Sequence, residues 1–133
     1  MTYQEHGIAG AARYVINNAD SKTLCLYGTM GAGKTTLTKA LVKELDGADD
    51  ASSPTFGIVN EYQKTDGSTL GYHFDFYRLN DENEAYDIGF EDYLNQDVWI
   101  FIEWPEKILS LLPENATDVH MEIVDATTRQ ISI

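Results

Sequence analysis

The sequence predicts an α/β fold in three layers, built on a mixed, mostly parallel sheet with antiparallel additions, and three observations predict it. Stretches with helical spacing alternate with short apolar runs along the chain, the order that packs helices against a sheet. The run Val98 to Ile102 is apolar without interruption and ends in the carboxylate of Glu103, as does a parallel strand buried on both faces. Extended segments instead flank Asp66-Gly67 and close the chain, as antiparallel hairpin strands do.

Each element follows in order. Ile8, Ala11, Ala12, Val15, Ile16 and Ala19 recur at helical spacing and predict an amphipathic helix ending near Asn17 to Ser21. Thr23 to Tyr27 is a short buried strand stopped by Gly28, and Leu37, Ala40, Leu41 and Leu45 line one face of a second helix. Asp46 to Pro54 is a loop. The segments "GIVNEYQ" and "TLGYHFDFYRL" flank "KTDGS", whose Asp-Gly pair is a hairpin signal. Within the acidic stretch that follows, Glu82 to Asp87 and Phe90 to Leu94 are the expected helical turns. "DVHMEIVDA" and "RQISI" are two alternating strands, expected to be antiparallel. With 133 residues and no linker or repeat, residues 1–133 are expected to form one domain.

Charge narrows the function. Nine Lys and Arg stand against 22 Asp and Glu, a net charge of −13, whereas binding to nucleic-acid phosphates draws on basic clusters that release counterions. Any nucleic-acid partner is therefore expected to be reached through a mediator. The single cysteine, Cys25, lies in an apolar strand and is expected to be buried and inert. The first ten residues have neither the basic start nor the apolar stretch of a secretory signal. The longest uninterrupted apolar run has the length of one strand, far short of a membrane span. The setting expected is soluble, reducing and cytoplasmic.

Gly28-Thr29-Met30-Gly31-Ala32-Gly33-Lys34-Thr35 matches the phosphate-binding loop pattern G-x-x-x-x-G-K-[ST]. Backbone N–H groups in such a loop wrap phosphates, and the following helix offers its positive end. The lysine reaches the β- and γ-phosphates, and the hydroxyl holds Mg²⁺. The full pattern arises by chance in a chain this long on the order of 0.5% of the time, and the required strand and helix are both predicted around it. A P-loop NTPase-like fold holding a nucleoside triphosphate is the reading. Gln63-Lys64-Thr65-Asp66 is the nearest approach to a guanine-reading N-K-x-D and starts with the wrong residue, so ATP is favoured.

Hydrolysis or transfer also needs acids. Glu103 ends one strand, and Asp75 sits in "YHFDFYR", where alternation puts His73, Asp75 and Tyr77 on the face opposite Tyr72, Phe74 and Phe76. Ser53-Pro54-Thr55-Phe56 is either a γ-phosphate-sensing segment or a rigid turn. Trp104 is either core filling or an aromatic beside the ligand, and Arg78 pairs with Asp75 or reaches phosphate. His6, His73 and His120 are scattered, with no second ligand type at metal spacing, and read as non-metal residues.

Four segments in this order, "GTMGAGKTT", "SPTF", "HFDFYRL" and "IEWPE", resemble the TsaE family, the small P-loop ATPases of threonylcarbamoyladenosine (t6A) biosynthesis on tRNA. The resemblance implies an ATPase acting on a complex of TsaD and TsaB, with tRNA met only through that complex and no membrane partner. It implies that Gly28, Gly31, Ala32, Gly33, Lys34, Thr35 and Thr36 bind ATP or ADP and Mg²⁺. It makes Thr55 the switch threonine, Asp75 the aspartate of the D-x-Y-R motif, and Glu103 a metal-linked glutamate with Trp104 its neighbour. Lys34, Thr55, Asp75 and Glu103 are thus the catalytic set, and Thr35 with Glu103 or Asp75 is the metal set. Which carboxylate holds metal and which orients water stays open. The regions of Gln4 and of Thr127 to Arg129 are assigned to the base side. Met30 replaces the family's usual leucine, and the N-terminal segment lacks its common threonine around Gly7. Two rivals share the loop: a nucleotide-dependent binding module without essential turnover, and a small-molecule kinase. The chain's three arginines, Arg13, Arg78 and Arg129, are too few and too scattered for the phosphate-binding lid such kinases carry.

Overall fold

The apolar runs of the sequence become the middle of one seven-stranded sheet. The computed structural model describes residues 1–48 and 57–133. In chain order the strands are β1 (Thr2–Gln4), β2 (Thr23–Tyr27), β3 (Val59–Gln63), β4 (Thr69–Asp75), β5 (Trp99–Glu103), β6 (Thr117–Ile123) and β7 (Thr128–Ser132), and in space they run β1-β7-β6-β2-β5-β4-β3. The four central strands β6, β2, β5 and β4 are parallel. The antiparallel pairs β1–β7, β6–β7 and β3–β4 lie at the flanks. The mixed α/β sheet is therefore as expected.

Strand alternation gives the sheet two apolar faces. Leu24 and Leu26 of β2, Phe101 of β5 and Val119 of β6 pack with Ala11 and Val15 of helix α1 (Ile8–Asn18) and with Leu37 and Leu41 of helix α2 (Lys34–Glu44). On the opposite face Cys25, Phe74, Ile100 and Ile102 pack with Ala85 of α3 (Glu82–Asp87), Phe90 of α4 (Phe90–Leu94) and Ile108 of a 3-10 segment over Pro105–Leu111. Three layers result. Both short helices keep the bounds read from the acidic stretch, and Asp81 caps the first of them by accepting the Asn83 N–H at 2.7 Å. Burial, with the nearby Asp118 charge, pushes the Cys25 thiol up to about 12, so it is the inert core residue expected.

The hairpin between β3 and β4 turns at Asp66-Gly67, with Gly67 at φ +89° and the Lys64 N–H donating to Ser68 O at 2.8 Å. One strand escaped the sequence reading. β1 is three residues long and pairs with β7, Tyr3 opposite Arg129, a length over which no alternation can be recognised. Of the loop read from Asp46 to Pro54, only its start is described. The Ser53 to Phe56 segment, with Thr55, lies outside the described residues. Among the described residues, no helix is long and apolar enough to cross a membrane.

Candidate nucleotide site

Because β2, β4 and β5 are parallel, all three point their C-terminal ends at one edge of the sheet, the usual place for a ligand in an open α/β sheet. Gly28 follows β2, while Asp75 ends β4 directly beside Glu103, which ends β5. The three motifs thus meet through topology, although they are far apart in sequence.

The loop's shape depends on two glycine properties. At Gly28 a Cβ would lie 2.9 Å from the Met121 carbonyl oxygen of β6, so a side chain there would push the loop off the sheet. Gly31 and Gly33 have φ of +85° and +97°, the left-handed region that side chains disfavour. Ala32 is fully buried between them and donates its N–H to Thr29 O at 3.1 Å. Helix α2 then opens at Lys34, leaving the amides of its first turn without intrahelical partners and its positive end facing the loop.

Lys34 is nearly buried. Its Nζ donates to Gly28 O at 2.6 Å and lies 3.6 Å from the centre of the Trp104 ring, an ammonium held on an aromatic face. Burial lowers its pKa against the opposing pull of Glu103, Glu106 and Asp75. Trp104 reaches this position from a left-handed backbone, φ +59°, and its ring meets Tyr77 at 5.1 Å. Trp104 both packs against the second apolar core and lines the cleft beside the loop.

Glu103 is 4% exposed. The Thr35 hydroxyl lies 3.0 Å from its Oε1 and 2.9 Å from its Oε2, and His73 Nε2 lies 2.5 Å from Oε2. Burial works to raise the Glu103 pKa. The His73 hydrogen bond and charge, the Thr35 hydroxyl and the Lys34 charge outweigh it and hold the carboxyl below its ordinary range. Asp75, by contrast, is exposed and accepts the Tyr77 N–H at 3.1 Å. Among the described residues, no ion pair joins Arg78 to Asp75; both line a neighbouring cleft with Glu84 and Asp87.

Two clefts flank the loop and share Gly31, Gly33 and Thr36. One, of about 390 Å³, is lined by Lys34, Thr35, Asp75, Tyr77, Glu103 and Trp104. The other, of about 480 Å³, is lined by Tyr3, Gln4, Glu5, His6, Ile8, Ala126, Thr127 and Arg129. Arg129 connects the C-terminal hairpin to the loop, donating to Asp125 O at 2.9 Å and to Gly31 O at 3.3 Å. The structure therefore brings together every sequence-derived site residue among those described, Asp75 at the rim. The reading missed His73 as a partner of Glu103. Strand alternation put His73 on the same face as Asp75, but the β4–β5 register that brings it to Glu103 carries no signal in the sequence pattern.

Residues 3–131 match the family profile described as "Threonylcarbamoyl adenosine biosynthesis protein TsaE". The chain belongs to the TsaE family. Curated TsaE relatives include those of Rickettsia felis, 40% identical over 81% of this chain and 62% of the relative, and of Haemophilus influenzae, 40% identical over 75% of this chain and 62% of the relative. That of Bacillus subtilis is 36% identical over 82% of this chain and 66% of the relative. The chain thus spans about three-fifths of the length of the first two TsaE relatives. Among solved structures, Bacillus subtilis YdiB resembles it with a TM-score of 0.70 at 25% identity, over 98% of this chain and 82% of YdiB. The loop, HFDFYRL and IEWPE segments that carried the resemblance to TsaE are those that meet at the sheet edge.

Proposed function

We propose that this chain is a Mg²⁺-dependent ATPase of tRNA t6A biosynthesis that acts on a complex of TsaD and TsaB. The observation carrying the ATPase reading is the convergence of Lys34, Thr35 and Glu103 on one cleft at the positive end of α2. The pathway is supported by family membership and by the relatives' name, tRNA threonylcarbamoyladenosine biosynthesis protein.

Loop amides and Lys34 hold the β- and γ-phosphates. Lys34 reaches them by trading the Gly28 carbonyl and the Trp104 face for phosphate oxygens. The oxygen donors fit Mg²⁺. Thr35 Oγ1 and the Glu103 carboxylate are hard ligands within 3.0 Å of each other, and Mg²⁺ beside a nucleotide uses one or two protein oxygens, phosphate and water. Among the described residues, no group of three His, Cys, Asp or Glu is arranged to hold a metal ion by itself, and such a site needs none. Bound there, Mg²⁺ would neutralise charge developing on the phosphates. Thr35 would offer a lone pair to that position while its hydroxyl donates its hydrogen bond to the Glu103 carboxylate, and Asp75 at the rim would orient water or supply a further oxygen. Thr55 enters as the switch threonine on the family resemblance. The second cleft receives the base between the Gln4 and Thr127 to Arg129 segments.

The arginines favour an ATPase over a kinase. Arg13 is engaged with Glu44 at 3.2 Å and Arg129 with backbone carbonyls, leaving Arg78 for an acceptor. The acidic surface suits a basic face on protein partners better than tRNA itself. The test is the Mg-ATP hydrolysis rate of the purified chain, alone and with TsaD and TsaB, with Lys34→Ala as control. Turnover that rises with the partners and vanishes in the variant supports the proposal. A rate that the partners leave unchanged favours a nucleotide-set binding module or a different partner.

A further inference from the structure

Among the described residues, most buried polar side chains are accounted for by the phosphate loop or the backbone. Thr38 donates to Lys34 O at 3.0 Å, and Thr117 Oγ1 accepts the Asp20 N–H at 2.9 Å. His73 is the exception. It is 5% exposed, sits on β4 two residues before Asp75, and directs its ring beneath the site to meet Glu103 at 2.5 Å.

We propose that His73 is a positioning residue, whose Nε2–H fixes the Glu103 carboxylate in the one orientation that presents it to Thr35. Glu103 is ionised and can only accept, so the ring nitrogen facing it carries the proton. The contact spans two strands, because β4 pairs with β5 in a register that places His73 opposite Phe101 and Asp75 opposite Glu103. The ring therefore approaches the carboxylate from below, while Thr35 approaches it from helix α2. Without the ring, the carboxylate keeps a single hydroxyl partner and turns about its last torsion, which is broad and roughly two-fold. The Thr35 proton then loses its fixed acceptor, and with it the hydroxyl loses the orientation that offers a lone pair to the cleft. His73 is not among the residues that line the cleft and acts only through Glu103.

The catalytic meaning of the contact rests on the ATPase reading; the contact itself does not. His73→Leu removes the donor at similar volume, and His73→Gln restores an N–H at similar reach. In the ligand-free, ¹³C-labelled protein, the Glu103 side-chain carboxyl resonance is expected to move in His73→Leu and to return toward its parental position in His73→Gln. In ATPase assays with the partners, His73→Leu is expected to lower kcat or raise the Mg²⁺ half-saturation by about 10–100-fold, with the KM for ATP close to parental and with recovery in His73→Gln. Thermal melts check that both variants fold. An unmoved carboxyl resonance in His73→Leu overturns the proposal. So does a folded His73→Gln as impaired as His73→Leu, which would make the ring mere packing. A parental chain without turnover overturns the ATPase reading instead, and the carboxyl resonance still decides the role of His73.

Discussion

Glu103 and Asp75 stand side by side at the ends of adjacent parallel strands, and their surroundings differ in almost every respect. Glu103 ends β5, is 4% exposed, and has two side-chain partners. Asp75 ends β4, is exposed, and accepts a local backbone N–H at the turn that follows. A buried carboxylate must be hydrogen-bonded to remain ionised, so Glu103 is fixed before any ligand arrives. Asp75 has water as an alternative and can turn toward a ligand. The pair shows how one sheet edge supplies a rigid acid and an adjustable one from neighbouring register positions.

The comparison breaks first at Glu103. Glu103→Gln is expected to lower ATP turnover by about 10²–10³-fold while nucleotide still binds; turnover near the parental rate would remove Glu103 from the metal set. Next in size is Lys34→Ala, expected to weaken nucleotide binding by about 10–100-fold, the loss of a hydrogen bond of about 1.5–3 kcal/mol to a charged group. Titration with a fluorescent nucleotide analogue reads this, and undiminished affinity would remove Lys34 from the site. Stability then separates the two acids. Glu103→Ala leaves the buried His73 donor without its acceptor and is expected to cost about 1–3 kcal/mol, whereas Asp75→Ala should stay within about 0.5 kcal/mol of the parent. Equal losses in denaturant melts would mean the two environments are not as different as their burial indicates.

The smallest effect concerns pH. The folded-state pKa of Glu103 lies below its ordinary value, so its ionised form stabilises the fold above the ordinary carboxyl pKa. That contribution is lost as pH falls through the lower, folded-state value. Melts taken from about pH 6 down to about pH 3 should therefore show a shallower loss of stability in Glu103→Gln than in the parent. A steeper loss would reverse the sign assigned here.

Much of this site was legible in the sequence because its parts are local. The loop pattern sits within eight consecutive residues, the apolar run before Glu103 marks a buried strand end, and the acidic segment gives both short helices. What escaped depends on register and torsion. His73 and Glu103 are thirty residues apart, and they meet only because β4 and β5 pair at a register that hydrophobic alternation does not specify. The contact of Lys34 with Trp104 requires a left-handed residue after a strand, which neither periodicity nor propensity predicts at a tryptophan. β1 is too short to show a period, yet it places Tyr3 and Gln4 in the second cleft.

The bond from Arg129 to the Gly31 carbonyl spans 98 positions, and Gly28 packs against the Met121 carbonyl. During synthesis, then, the loop emerges from the ribosome long before either support exists. Both supports are in place only when the last hairpin docks, so on the proposed nucleotide reading capture is expected to follow synthesis of that hairpin. A nascent chain stalled before residue 117 should show no nucleotide-induced protection from protease, and protection at that stage would mean the loop shapes itself.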